Sequence, residues 1–249
     1  MDPKITVQEI EWTDQKVQKL WDYYATFSDA ESYYSRHSGG HILRYLSRWL
    51  DFTSCDILDY GCGPGYLMEH LVRKSRGRVF GLDFSTDSVA KANARLAGHP
   101  HFAGALQTAS IPSPFQSGSM DLVIAVEVIE HLSNDKLQAM LSEINRLLKV
   151  GGHLVLTTPH EEKLEDLTSF CPNCEVKFHR WQHVRSWSVK TLTEVLVQNG
   201  FKPRVVRPRN FHSTPARIIS GMRGMAKRVL RKEVEPEDLH LFAVAEKGG

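Results

Sequence analysis

The chain has 249 residues, 41% hydrophobic and 24% charged, and its formal net charge is +2. A chain of this length and composition can form one globular α/β domain with insertions, and the near-neutral charge gives no support for nucleic-acid binding through a broad basic surface. No apolar run reaches the ~20 residues of a membrane-spanning helix, and the N-terminus lacks the basic-then-apolar pattern of a signal peptide. The four cysteines form no disulfide framework, so we expect a cytoplasmic protein.

The chain begins with a leader, residues 1–54, that precedes the regular pattern. Aromatic residues between Trp12 and Phe27 have mixed spacing, whereas apolar residues after Gly39-Gly40 recur at helical spacing. The leader is therefore predicted to contain a packed helix, and its first part either covers a site or forms a solvated linker.

Strand and helix patterns then alternate. Strands are predicted at 56–60, 78–83, 101–106, 120–126, 152–158, 202–207 and 239–246, and helices at 65–75, 85–97, 134–149 and 188–199. This βαβ series predicts an α/β fold with a parallel sheet and helices on both of its faces. Two segments fall outside the series, residues 160–187 and 212–237, and a connection as long as the first is usually functional.

A glycine-rich turn follows the first strand of this series. Asp59 is followed by Gly61-Cys62-Gly63-Pro64-Gly65, and glycines here let the backbone approach a ligand closely. A dinucleotide-binding turn reads G-x-G-x-x-G and holds pyrophosphate. Here the third glycine comes one residue early, and the Asp59 carboxylate would repel phosphate but favour an ammonium group. Asp83 lies about 20 residues further on, where a ribose-binding carboxylate is expected, so the turn predicts a site for a ribose and a cation.

This ordered series resembles the class I S-adenosylmethionine-dependent methyltransferases. The matching segments are the glycine turn, Gly81-Leu82-Asp83, residues 120–132 and residues 148–159. The resemblance implies a Rossmann-like, doubly wound, seven-stranded sheet, mostly parallel with an antiparallel last strand. It also implies that residues 1–54 form a helical leader or lid, with Tyr33 to His37 as the covering part, and that residues 55–249 form the methyltransferase domain.

The resemblance further implies S-adenosylmethionine as the cofactor. Asp83 would hold the ribose hydroxyls, and the glycine turn would cradle the methionyl part with help from Asp59. The family usually places an acid at the adenine amino group, whereas this chain has Gln107 there, whose side-chain oxygen can still accept a hydrogen bond. The complete predicted cofactor set is Asp59, Gly61, Cys62, Gly63, Gly65, Asp83, Phe84, Gln107, Thr108 and Glu127.

Catalytic candidates follow the fourth strand of the series. Glu127, Glu130 and His131 would share one face if their segment is helical. Their ExxEH pattern resembles the ubiquinone-biosynthesis O-methyltransferases, where it lies beside the substrate and can hold a divalent cation. An imidazole titrates near neutrality, so His131 could act as a base without metal. The alternative is that Glu127 and His131 only orient the cofactor or cap a helix.

The segment 160–187 contains Cys171, Cys174, His179 and His183 in the spacing C-x₂-C-x₄-H-x₃-H. Two thiolates and two imidazoles can form a closed, structural zinc site. His183 also begins an H-x-R-x-aromatic step that in the family carries an active-site histidine, and one residue cannot easily serve as both ligand and base. The alternative is two incidental loop cysteines beside an active-site histidine.

The segment 212–237 contains a basic helical pattern, residues 216–232. Such a helix can contact an anionic membrane or a partner, although we expect it to pack on the sheet.

The function predicted from the sequence is O-methylation of a small-molecule acceptor, with His131 or His183 as the base. N-methylation, methylation of a nucleic-acid or carrier-bound substrate, and a non-catalytic cofactor-binding role are the alternatives. We do not expect nucleic acid as a partner, and no oligomeric state is predicted.

Overall fold

The computed structural model describes residues 7–26, 33–108, 110–211 and 239–248. The predicted insert 212–237, with its basic helix 216–232, lies outside the described residues. In chain order the strands are β1 (Gln8–Glu9), β2 (Ile57–Tyr60), β3 (Val79–Asp83), β4 (Phe102–Gln107), β5 (Met120–Val126), β6 (Leu148–Pro159), β7 (Thr168–Cys171), β8 (Val176–His179), β9 (Phe201–Arg209) and β10 (His240–Lys247). The helices are α1 (Asp14–Thr26), α2 (Tyr34–Leu46), α3 (Tyr66–Val72), α4 (Thr86–Leu96), α5 (Asn134–Leu147) and α6 (Val189–Gln198).

The main sheet has seven strands in the order β4-β3-β2-β5-β6-β10-β9. Neighbouring strands from β4 to β6 run parallel, whereas β10 is inserted antiparallel between β6 and β9. The predicted Rossmann-like sheet with an antiparallel last strand is confirmed. The order reverses beside β2, which is where open α/β sheets bind their ligands.

Both faces of the sheet are buried by helices, because consecutive strand residues point to opposite faces. In β5, Leu122, Ile124 and Val126 join a cluster with apolar residues of α2, α3 and α4. Val123 and Ala125 join a second cluster with residues of α5 and α6. Burial on both faces explains why β5 is a continuous apolar run.

Capping residues fix where the helices beside the sheet begin and end. The Ser85 side chain accepts a hydrogen bond from the Ser88 N–H at the start of α4. Ser188 and Thr191 form a capping box at the start of α6, and Gly200, with φ of 80°, follows its end. Helix α6 therefore begins and ends within one residue of the bounds predicted from the sequence, 188–199.

The segment 160–187 is structured and packs with the leader. A short 3-10 helix (Leu164–Leu167) precedes the antiparallel hairpin of β7 and β8. Strand β1 of the leader pairs parallel with β8, which gives a second sheet in the order β1-β8-β7. The sequence patterns did not predict this sheet, because its strands have two to four residues each and the β1–β8 pairing joins residues more than 160 positions apart. Among the helices of the described ranges, none is long and apolar enough to cross a membrane.

Candidate active site

A cavity of about 1300 Å³ lies at the carboxyl ends of the parallel strands. The glycine turn, Asp83 and Glu127 form its sheet side. Residues of α1 and α2 and of the segment 160–187 form the opposite side. The cavity is therefore large enough for two ligands, and its walls come from both the sheet and the leader.

The glycine turn between β2 and α3 needs glycine at two positions. Gly61 has a φ of 78°, and a Cβ there would lie 2.6 Å from the Val128 side chain. Gly65 has a φ of 86°, and its Cβ would meet Ala92 at 3.2 Å. Left-handed backbone and close neighbours together exclude larger residues at both positions, so glycine is required there.

Two acids, one half-buried and one fully buried, stand beside the turn. Asp83 accepts hydrogen bonds from the Gly63 and Ser85 N–H groups, both at 2.8 Å, and burial raises its pKa. Asp59 is 2% exposed and lies behind the turn, since it is not part of the cavity wall. Its Oδ2 has no hydrogen-bond partner among the described residues. Burial, followed by the nearby charge of Asp83, raises the pKa of Asp59 to about 8.

Apolar and amide side chains line the cavity next to Asp83. Phe84 is 36% exposed, although it is aromatic, and it lines the cavity. The Gln107 amide donates to the Phe84 carbonyl at 2.9 Å, which leaves the Gln107 carbonyl oxygen available as an acceptor. The Thr108 hydroxyl bonds to Ser110 instead. Burial, with Asp59 as the next cause, raises the pKa of the Cys62 thiol, so Cys62 stays neutral.

The segment after β5 is not the α-helix that would place three predicted residues on one face. Glu127 has a φ of 54°, and only a 3-10 turn follows it, Ile129–His131. The left-handed residue turns the chain at once, because it cannot continue a helix. Glu127 and His131 nevertheless both line the cavity. Glu130 is instead buried behind the cavity wall.

Glu127 belongs to a network that the sequence did not reveal. It accepts a hydrogen bond from the Thr157 hydroxyl at 2.8 Å, and its other oxygen lies 3.0 Å from His240 Nδ1. The Tyr34 ring stacks on His240 at 4.0 Å between centroids. His240 is the first residue of β10. An antiparallel strand starts at the edge where the parallel strands end. The position of His240 at the start of a predicted antiparallel strand was therefore the sequence signal that could have placed it at the site.

Burial shifts the pKa values of both Glu130 and His131 in the direction that favours their uncharged forms. Burial raises the pKa of Glu130 well above its ordinary value, and its Oε2 accepts a hydrogen bond from the Thr158 hydroxyl at 2.9 Å. Burial, followed by the charge of a protonated His183, lowers the pKa of His131 to about 3. A histidine with so low a pKa is a weak base.

Comparison with known proteins identifies the central segment of the chain. A family model described as a methyltransferase domain matches residues 57–152, which contain the glycine turn, Asp83 and the turn after β5. Residues 57–152 therefore carry the match to the methyltransferase domain family. The resemblance to S-adenosylmethionine-dependent methyltransferases, stated from the sequence, is confirmed.

Two proteins that are similar in sequence to this chain are named as methyltransferases. A probable S-adenosylmethionine-dependent methyltransferase of Mycolicibacterium smegmatis is 34% identical over 147 residues, covering 59% of this chain and 52% of that protein. A ubiquinone biosynthesis O-methyltransferase of Xanthomonas oryzae pv. oryzae is 32% identical over 117 residues, covering 47% and 48%. The chain thus spans about half the length of the curated relatives it matches.

One solved structure shares its fold with nearly the whole chain. The N-methyltransferase NodS from Bradyrhizobium japonicum WM9, in complex with S-adenosyl-L-homocysteine, matches with a TM-score of 0.63. The match covers 94% of this chain and 99% of that one at 16% identity, so it describes the fold alone.

The four zinc ligands predicted in the segment 160–187 are not brought together. Cys171 and Cys174 lie at the turn of the β7–β8 hairpin, and the extended strand β8 carries His179 away from that turn. Two sets of three side chains, searched within the described ranges, place possible metal-ligand atoms within 4.8 Å of one another, namely Glu130-His131-His183 and Glu162-His179-His183. Neither set contains a cysteine, so the geometry gives the predicted Cys-His site no support.

The histidines of the segment 160–187 meet a carboxylate that the sequence did not single out. His183 lines the cavity of the methyltransferase domain, and its Nδ1 lies 2.5 Å from Glu162 Oε2. Glu162 is partly buried, which raises its pKa, but the neighbouring imidazoles of His179 and His183 outweigh this effect and lower the pKa to about 2. Glu162 is therefore a carboxylate at neutral pH.

Two further side chains fasten this segment to the methyltransferase domain. Gln182 is 1% exposed; it donates to the His131 carbonyl at 2.8 Å and accepts from Trp21 Nε1 at 3.3 Å. The Arg185 guanidinium donates to the Leu132 carbonyl. His183 lies between these two anchors, so its ring is held beside His131, with 4.8 Å between the ring centroids.

Proposed function

We propose that this protein transfers the methyl group of S-adenosylmethionine to a hydroxyl group of a small-molecule acceptor, with His183 as the general base. The observation that carries this proposal is the single cavity that joins the glycine turn and Asp83 on one side to the Glu162–His183 pair on the other.

Several side chains support a cofactor position in the sheet half of the cavity. Asp83 can accept the ribose hydroxyls, because each of its oxygens accepts one backbone N–H and keeps a free lone pair. Gln107 offers an acceptor for the adenine amino group. The exposed Phe84 ring and the exposed Ile111 side chain line the cavity beside it. The glycine turn leaves room for the methionyl part, with Asp59 supporting it from behind.

His183 is better suited than His131 to take a proton from the acceptor. The low pKa of His131 means that its protonated form is unstable, whereas the Glu162 carboxylate beside His183 stabilises a positive charge on that imidazole. We therefore give the base role to His183, the second of the two histidines named from the sequence.

The proposed step is an in-line displacement. The acceptor oxygen forms a bond to the methyl carbon while the carbon–sulfur bond breaks and its electron pair stays on sulfur. The acceptor proton moves to His183 Nε2, which later releases it to solvent. The methyl group of a sulfonium is already activated, so alignment and removal of one proton are the main contributions that the protein must make.

A labelling experiment tests the proposal. The purified protein is incubated with methyl-labelled S-adenosylmethionine and separated small-molecule, protein and nucleic-acid fractions of the source cells. We expect label in the small-molecule fraction, attached to oxygen, and a loss of about 10²-fold or more in rate for His183→Ala with the cofactor Kd unchanged. His101→Ala is the matched control, because His101 precedes β4 at the opposite edge of the sheet.

The other results each point to a different conclusion. Label attached to nitrogen would show that the enzyme methylates a nitrogen instead of an oxygen. Label found only in protein or nucleic acid would show that the acceptor is a macromolecule and not a small molecule. Cofactor binding without transfer to any fraction would favour a non-catalytic cofactor-binding role.

A further inference from the structure

Glu162, His179 and His183 form a compact group at the edge of the cavity. Their side chains are 14%, 5% and 9% exposed. His183 and Glu162 line the cavity, whereas His179 lies behind them, with its ring stacked on His183 at 4.5 Å between centroids. The positions of the protons decide whether this group suits a metal ion or a proton transfer.

The backbone determines the tautomer of His179. The N–H of His183 donates to His179 Nδ1 at 3.1 Å, and an amide nitrogen can only donate, so His179 Nδ1 must be unprotonated. A neutral His179 then carries its proton on Nε2, which lies 3.6 Å from Glu162 Oε1. A metal ion on Nε2 would require the proton on Nδ1, where it would face the His183 N–H.

The carboxylate determines the tautomer of His183. Glu162 is ionised at neutral pH, so the 2.5 Å contact between Oε2 and His183 Nδ1 has the imidazole as its donor. The proton on Nδ1 leaves Nε2 as the ring nitrogen with a free lone pair. Nε2 therefore has the free lone pair that a general base needs.

We propose that Glu162 is a positioning residue for the His183 base, and that His179 in turn holds Glu162. Glu162 selects the Nδ1–H tautomer of His183 and stabilises the imidazolium that forms when Nε2 takes the acceptor proton. His179 supports the second carboxylate oxygen electrostatically over 3.6 Å, with its tautomer set by the His183 N–H. This inference rests on the proposed function, since it gives His183 its proton-accepting state.

The other titratable groups near His183 do not take over the role of Glu162. The His131 ring faces His183 but is uncharged at neutral pH. Glu130 comes within ligand distance of His131 and His183, but burial raises its pKa well above the ordinary value and so disfavours its charged form. Glu162 thus supplies the negative charge beside His183.

Nuclear magnetic resonance of the ligand-free protein tests the tautomers without any acceptor. Long-range ¹⁵N–¹H spectra of the histidine rings, assigned with single His→Gln variants, should show His183 as Nδ1–H and His179 as Nε2–H. Glu162→Gln should convert His183 to a mixture of tautomers, because a neutral amide can donate as well as accept. Glu165→Gln, an exposed neighbour on the same segment, should leave both rings unchanged.

Methyl transfer to the labelled small-molecule fraction supplies the functional readout. Glu162→Gln should lower kcat by about 10²-fold with little change in cofactor Kd or acceptor KM, and His179→Gln should lower it by about tenfold, since the Glu162–His183 contact remains. Glu162→Asp should recover part of the loss.

Three results would overturn the inference. They are a wild-type kcat in Glu162→Gln, unchanged tautomers in that variant, or one tightly held metal ion per chain that shifts the His179 and His183 signals. Wild-type protein that binds no S-adenosylmethionine but has the expected tautomers would instead count against the proposed function.

Discussion

At the scale of single residues, Asp59 couples folding to pH. Its pKa is about 8 in the folded protein, against an ordinary value near 3.9 in an unfolded chain. The folded state therefore binds more protons between these values, and this residue's contribution to stability falls as the pH rises from about 4 through 8. The cause is burial first and the neighbouring Asp83 second.

Asp59→Asn removes this titration. The difference in unfolding free energy between the variant and the natural protein should grow with pH between 5 and 8, by at most about 1.4 kcal/mol per pH unit. Urea unfolding at several pH values measures the difference. A difference that stays constant across this range would mean that Asp59 is ionised in the folded protein.

Asp83→Ala should weaken S-adenosylmethionine binding by about 2–3 kcal/mol, because it removes the acceptor proposed for both ribose hydroxyls. Isothermal titration calorimetry provides the measurement. Asp87→Ala serves as the control, since Asp87 is an exposed acid in the first turn of α4. Equal affinities in the two variants would move the cofactor away from β3.

The sequence predicted those site residues that belong to one short segment. Asp59, the glycines and Asp83 follow strands at fixed spacing, so their common edge could be inferred. Glu162, three residues after β6, and His240, the first residue of β10, lie at the same edge, but no motif in the sequence marked either of them as a site residue. Glu130 was misplaced because the pattern assumed a helix, whereas Glu127 is left-handed.

At the scale of elements, the leader and the segment 160–187 form one unit over the cavity. Strand β1 pairs with β8, and Trp21 of α1 contacts Gln182 and the edge of the His131 ring. The seven main strands were predictable from their apolar patterns. This small sheet was not, because its short strands depend on a partner that is distant in sequence.

Trp21→Ala should loosen this unit while leaving the sheet intact. We expect the acceptor KM to rise about tenfold, a loss of about 1.4 kcal/mol, with cofactor affinity nearly unchanged. Limited proteolysis should also cut the leader faster. Trp49→Ala is the matched variant, because Trp49 is 42% exposed near the end of α2. Unchanged kinetics and proteolysis in Trp21→Ala would show that the leader does not shape the acceptor side.

At the scale of the whole molecule, β10 joins two parts of the sheet. It pairs with β6 on one side and β9 on the other, and its residues 241–245 are each at most 1% exposed. Without it, both neighbours would present open strand edges and lose a buried apolar partner.

A chain truncated after residue 238 should therefore fail to fold cooperatively. Circular dichroism and the yield of soluble protein measure this outcome, and a chain truncated after Lys247 should behave like the full protein. Cooperative unfolding of the shorter chain would show that β6 and β9 are stable without the inserted strand.

The position of β10 also orders events during synthesis on the ribosome. Strands made earlier can pair as they emerge, but the gap between β6 and β9 stays open until this last strand of the described sheet has left the ribosome. The same strand brings His240 to Glu127. A chain that terminates before β10 therefore lacks both a closed sheet and a complete pocket, and we expect it to be inactive.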